Sequence, residues 1–196
     1  MFSYMSTPIP APYHIEKMTW EALKPFFIEH RPKLFTECFS LASNKTLSDV
    51  EQEKMAILAQ NMGSPFTLNL GLFHNKEPIG WSFGWQKDRE TYYMTNSAIV
   101  PQHRRKGLYS CLLQKTIEEV QAVGFQIIES RHTATNNPVI IPKLKCGFII
   151  SGMEISDVFG TLVHLRYYTN PVRRHLMDIR SGQAKPDVDL MKKLEI

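Results

Sequence analysis

The sequence predicts an α/β protein with a mixed, largely antiparallel central sheet and a β-α-β crossover. Three observations carry this. Residues 66–100 hold three segments rich in aromatic and β-branched residues, joined by four-residue polar turns, as in an antiparallel meander. Residues 107–123 place Leu108, Leu112, Leu113, Ile117 and Val120 at helical spacing. A short apolar run at 125–130 follows, and a helix between two such strands is the usual way to join parallel neighbours.

Taken in order, residues 1–12 hold three prolines and read as a lead-in to a short strand, Tyr13–Lys17. Residues 20–30 and 32–42 read as two short helices, the second opened by Pro32, whose fixed φ suits a first helical position. Ser48 and Glu51 have capping-box spacing, and the helix they open runs through Leu58 and stops at Gly63. Strands are expected at 66–74, 79–86 and 91–100, with turns at Asn75-Lys76-Glu77-Pro78 and Lys87-Asp88-Arg89-Glu90. Then come the helix of 107–123, a buried strand at 125–130, a short helix ending near Cys146, and strands at 148–155 and 161–168. The tail, 170–196, is polar and interrupted by proline. The whole chain, 1–196, reads as one domain, with a core of about 66–168, N-terminal helices in 20–62 and a C-terminal extension at 170–196.

Composition narrows the function. Hydrophobic residues make up 43% of the chain and charged residues 21%, ordinary values for a globular protein. The net charge of +4, from 23 basic and 19 acidic residues, suits an anionic ligand but falls short of a dedicated nucleic-acid binder. Cys38, Cys111 and Cys146 are scattered, with no Cys-x-x-Cys spacing, which argues for a reducing compartment and against a disulfide framework or a metal site. No apolar run is long enough for a membrane span, and the first residues lack a signal-like apolar core. A cytoplasmic protein without membrane or nucleic-acid partners is expected; a homodimer is left open.

The most informative stretch is Ile99 to Ser110, where a strand empties through a basic glycine turn into a helix. The unpaired N–H groups of a first helical turn and the helix dipole favour an anion, and Arg104, Arg105 and Lys106 add positive charge. The plain alternative is a solvated basic turn. A ligand carrying phosphate fits the local chemistry better.

Arg104-Arg105-Lys106-Gly107-Leu108-Tyr109 resembles the pyrophosphate loop of the GNAT family of N-acetyltransferases, whose pattern is Gln/Arg-x-x-Gly-x-Gly/Ala. Asn136-Asn137-Pro138, followed by Lys143-Leu144-Lys145-Cys146-Gly147-Phe148, resembles that family's later segment, an Asn and a helix closing in Gly-Phe. The resemblance spans about residues 66–168. It implies acetyl-CoA as acyl donor and a primary amine as acceptor, joined by direct attack in a ternary complex. The amides from Arg105 to Ser110 (Arg105, Lys106, Gly107, Leu108, Tyr109, Ser110), next to Arg104, would cradle the pyrophosphate. Ser97, Ala98 and Ile99 would bond the pantetheine as an added strand, which requires this strand to splay from the next. Asn136 would meet the cofactor, or cap the helix that follows, or both.

Two departures matter. Tyr109 stands where Gly or Ala is usual, so its ring must avoid or flank the phosphates. Lys143 stands where many family members place a Tyr to protonate the leaving thiolate; a protonated lysine there would stabilise a thiolate electrostatically, but a solvated helix face is the plainer expectation. The strand at 91–100 offers no carboxylate as general base, which leaves Glu129 and His132 as the nearest candidates, or bound water. These gaps motivate the alternative of a catalytically weakened CoA-binding regulatory module. Trp81, Phe83 and Trp85 share a strand face, as core or as an acceptor-pocket wall, and Cys111 reads as packing.

Overall fold

The computed structural model describes residues 8–35, 46–193 and 195. The strands are β1 (Tyr13–Lys17), β2 (Thr67–His74), β3 (Glu77–Gln86), β4 (Thr91–Ile99), β5 (Ile127–Thr133), β6 (Ile149–Ser156) and β7 (Gly160–Tyr168). They form one sheet in the order β1-β2-β3-β4-β5-β7-β6, and only the β4–β5 pairing is parallel. The helices are α1 (Trp20–Leu34), α2 (Asp49–Asn61), α3 (Leu108–Val123), α4 (Asn137–Lys145), α5 (Pro171–Arg180) and α6 (Val188–Lys193). The predicted mixed, largely antiparallel sheet with a β-α-β crossover is what forms: α3 leads from β4 to its parallel neighbour β5.

Each face of the sheet is covered by what the pattern supplies. Leu112, Leu113, Ile117 and Val120 of α3 pack with Leu68, Leu70, Tyr92, Met94, Ile128 and Leu165. Each such side chain contributes about 1.5–3 kcal/mol on burial. On the opposite face, Leu23 of α1 packs with Trp81 and Ala98, with Phe26, Phe27 and Phe83 against them. Trp81 is fully buried there and donates to the Asn96 side chain at 2.8 Å, so core packing is its role.

Three expectations change. One helix, α1, runs through Pro32 to Leu34 in place of two helices meeting at residue 31. Pro32 lies in its last turns, where only one ladder bond is forfeited. The remainder of the expected helix, 36–42, and Cys38 lie outside the described residues. The tail is not merely a polar extension: it folds into α5, capped by the Asn170 side chain bonding the Val172 and Arg173 amides, and α6. The Arg174 side chain of α5 donates to the Gly147 carbonyl, tying this segment to the end of α4. The capping box forms as expected, Ser48 and Glu51 bonding each other's backbone.

Candidate active site

β4 and β5 are paired for three residues only: Thr91 with Ile127, Tyr92 with Ile128, Tyr93 with Glu129. Beyond that point β4 continues to Ile99 and β5 to Thr133 with no pairing between them. The departure has a local cause. Opposite β3, Phe83 meets Asn96 but Gly84 meets Met94, so Thr95 is an extra residue. Such a bulge bends its strand. A V-shaped opening results, with its apex at Met94 and Ser130, the first residues past the last pair.

The register decides which β4 groups face this opening. Val100 donates to the Ile79 carbonyl at 2.9 Å, and residues 79–83 of β3 pair in step with 96–100. Alternation in an antiparallel ladder then turns the N–H and C=O of Ser97 and Ile99 away from β3, toward the opening, and those of Ala98 into β3. Ala98 therefore differs from the sequence expectation: its backbone faces β3 and its side chain the α1 face. The Ile99 carbonyl accepts the Arg104 Nε at 2.8 Å.

At the far end of the opening the chain makes a 3-10 turn (Pro101–His103) and enters α3 through Gly107, whose φ of 75° is left-handed. Arg105 is also left-handed, at φ 61°, a conformation that costs a non-glycine residue about 1–2 kcal/mol. Among the described residues, the amides of 105–109 have no partner. The Ser110 amide already donates to the Gly107 carbonyl at 3.0 Å, unlike the five amides before it. Two of the three cations are committed: Arg104 as above, and Lys106, whose Nζ donates to the Tyr13 hydroxyl at 3.0 Å. Arg105 alone of the three is exposed without a partner among the described residues.

Tyr109 points inward. Its hydroxyl lies 3.3 Å from the Ser97 Oγ, and burial pushes its ionisation well above the ordinary range. Its bulk is absorbed under the sheet, which explains how a tyrosine is accommodated after Gly107. Asn136 opens α4 through its carbonyl, which accepts from Ile140 at 3.0 Å, while its side chain makes no capping bond.

Glu129 and His132 do not come together. They are an odd number of residues apart on one strand and so occupy opposite faces. Glu129 is buried between Lys87 (2.5 Å) and Arg166 (2.5 Å); these two cations outweigh burial and hold its carboxyl below the usual range. His132 lies on the α3–α4 face with its Nε2 3.1 Å from the Ser130 Oγ. Burial, and secondarily Lys143, push its pKa down to about 3, which leaves a poor proton acceptor at neutral pH.

Lys143 is the residue the sequence reading misplaced. It is 1% exposed, not solvated. Its Nζ donates to the Ser130 Oγ at 2.7 Å, lies 3.5 Å from the Met94 Sδ and sits 5.1 Å above the Phe148 ring. Those two partners are the residues at the apex of the V. Burial pulls its pKa down from 10.5 to about 7. The sequence signal was its place on α4: five residues before Phe148, on the helix face that turns toward the sheet.

The profile of the Acetyltransferase (GNAT) family matches residues 21–148. The chain belongs to this family. No curated protein matches it by sequence. Among solved structures it is similar to the ribosomal-protein-S18-alanine N-acetyltransferase of Escherichia coli, at 17% identity and a TM-score of 0.58, over 81% of this chain and 94% of that one. A GNAT acetyltransferase from Streptococcus pneumoniae is similar at 20% identity and a TM-score of 0.60, over 81% and 99%. A putative acetyltransferase from Salmonella typhimurium, solved with its cofactor acetyl-CoA, is similar at 16% and 0.59, over 81% and 94%. Such low identities speak for the fold. In this fold the part of β4 that is unpaired with β5 runs to Ile99, and the unpartnered amides of 105–109 follow it in the chain after the 3-10 turn.

Proposed function

We propose that this GNAT protein transfers an acetyl group from acetyl-CoA to a primary amine by direct attack in a ternary complex. One observation carries the reading: the unpaired edge of β4 and the partnerless amides of 105–109 lie along one opening, a strand-pairing edge leading to an anion cradle. An extended, amide-containing chain that ends in a pyrophosphate matches both parts. Ser97 and Ile99 bond the amides of that chain, Arg105 and the cradle take the phosphates, and Asn136 is free to contribute its side chain. The Ile99 N–H is a donor for the oxyanion that forms during attack.

The acceptor enters from the face opposite α3 and α4, where Tyr93, Arg131 and Glu154 form a wall beside the opening. Arg131 donates to Glu154 at 2.8 Å and to the Tyr93 hydroxyl at 3.1 Å. Glu129 is consumed by its ion pairs and His132 is too weakly basic, so water takes the proton of the attacking amine.

The test has two arms. Acetyl-CoA at a hundredfold excess over its dissociation constant stabilises the fold by about 2.7 kcal/mol; no thermal shift at millimolar acetyl-CoA overturns the reading. Free thiol release is then followed with peptide N-termini, lysine, polyamines, amino acids and aminoglycosides as acceptors. Binding without amine-dependent release from any of them favours the regulatory alternative.

A further inference from the structure

Aromatic rings that are half-open to water and belong to no core need a reason, and two of them stand beside the opening. Along β3, Trp81, Phe83 and Trp85 alternate onto the face opposite α3. Trp81 and Phe83 pack under α1, both in ring contact with Phe27. Trp85 does not. It is half-buried and lies outside all three apolar clusters. Its indole N–H has no partner among the described residues, whereas that of Trp81 donates to Asn96. Its ring contact among those residues is with Tyr93, also half-buried, at 6.3 Å between centroids and 75° between planes. α2 has no buried residue, so its apolar side chains are not seated on these rings.

Their place gives the rings a use. Trp85 stands opposite Tyr93 in the ladder, and Tyr93 is the last residue of β4 paired with β5, directly before Met94 at the apex. One residue of strand is about 3.4 Å and one strand spacing about 4.8 Å, so a ring carried two carbons from a nitrogen at the apex reaches both. The charges beside the rings are already engaged. Arg131, 5.5 Å over the Tyr93 ring, binds Glu154, and Lys87, two residues after Trp85, binds Glu129. An aromatic floor with a paired polar rim suits an apolar body. A polyamine or an amino acid would bring a second charge to groups that already have partners.

We propose that the acceptor is a small primary amine borne on an aromatic group, with its ring against Trp85 and Tyr93 and its nitrogen at the apex. The proposal rests on the acetyl-transfer reading above and names the substrate class within it. Edge-on and offset contacts between rings hold the body and leave the nitrogen free to face the thioester.

The test compares 2-phenylethylamine with ethylamine, which lacks only the ring, and with spermidine and glycine. Burial of a phenyl group corresponds to about ten- to hundredfold, so kcat/KM for 2-phenylethylamine should exceed that for ethylamine by about that factor. Trp85→Ala should cut this preference to within about threefold, through the KM for the amine, with the acetyl-CoA dissociation constant unmoved. Equal or better use of ethylamine, spermidine or glycine by wild-type protein overturns the proposal, as does an undiminished preference in folded Trp85→Ala protein. Should that variant not fold, or should no amine turn over, tryptophan emission decides. The chain's three tryptophans, Trp20, Trp81 and Trp85, all lie on this face. In the CoA complex, 2-phenylethylamine should change their emission saturably and ethylamine should not; no change, or the same change from both, overturns the proposal. A protein whose thermal midpoint does not move with acetyl-CoA overturns the acetyl-transfer reading, and this proposal with it.

Discussion

Gly107 and Gly124 make a matched pair of perturbations at the two ends of α3. Both have positive φ, 75° and 109°, and a Cβ built on either meets nothing within 4 Å. Alanine at either position therefore carries a backbone penalty without a clash, about 1–2 kcal/mol for a left-handed L-residue. In a chain of this size each 1 kcal/mol lowers the midpoint of thermal unfolding by about 2–4 °C, so both variants should lose roughly 2–8 °C. Ligand binding separates them. At a hundredfold excess over the dissociation constant, acetyl-CoA should raise the wild-type midpoint by roughly 5–11 °C, from about 2.7 kcal/mol at the same conversion. Gly124→Ala should keep that increment, because its amide is already spent on the Gln121 carbonyl and no cradle lies there. Gly107→Ala should lose most of it, since a Cβ between the amides of Lys106 and Leu108 occupies space the phosphates need, or turns those amides aside as φ relaxes. Gly107→Val should abolish it. An undiminished ligand-induced shift in Gly107→Ala would refute the placement of the anion in this loop. The assay is differential scanning fluorimetry with and without acetyl-CoA, checked by titration calorimetry.

Other consequences follow from the same geometry. The Lys143 pKa is about 7 in the fold and 10.5 when unfolded, so the unfolded chain binds more protons between these values and stability must rise with pH across pH 7–10.5; urea denaturation at pH 7 and pH 9 should show this rise in wild type and its loss in Lys143→Met. His132→Ala should leave the acidic limb of the turnover–pH profile between pH 5 and 8 in place, because His132 is neutral throughout that range. Glu129→Gln should reduce denaturant stability by about 1–3 kcal/mol, the worth of hydrogen bonds to a charged group, with turnover largely kept. Tyr109→Phe should cost about 0.5–1.5 kcal/mol for its bond to Ser97, and Tyr109→Ala about 3–5 kcal/mol for the cavity, read by chemical denaturation.

Much of this was legible in the sequence, for reasons that differ by element. β4, α3 and β5 announce themselves because their periodicity is set by burial on known faces, and Gly107 marks the one position where the chain must turn left-handed into a helix. The bulge at Thr95 was not legible. It is defined by the partner strand, through Phe83 and Gly84, and leaves no mark on the local pattern of residues 91–100 beyond three polar residues in a row, Thr95 to Ser97. That one-residue insertion is why Ser97 and Ile99, and not Ala98, face the opening. The single helix α1 was hidden by a rule applied too strictly, since a proline near the end of a helix removes only one bond. Lys143 runs against composition, since lysine is so seldom buried that its identity alone argues for solvent. What overrides the prior is the helix period, which aligns it with Ile140 on the buried face of α4.

Alternation along β5 accounts for how the opening divides its chemistry. Ile128, Ser130 and His132 project to the α3–α4 side, and Glu129 and Arg131 to the other, as their partners show. The first side holds a dry lysine, a hydroxyl and an imidazole with no compensating acid; the second holds cations and carboxylates already paired in partly solvated bridges. Low dielectric makes an unpaired ammonium sensitive to any new anion beside it, whereas the paired charges of the other face gain little from one. On the proposed reading, an amine approaching from the solvated side meets a surface whose charges are already balanced, and the unpaired lysine lies on the far side of the sheet.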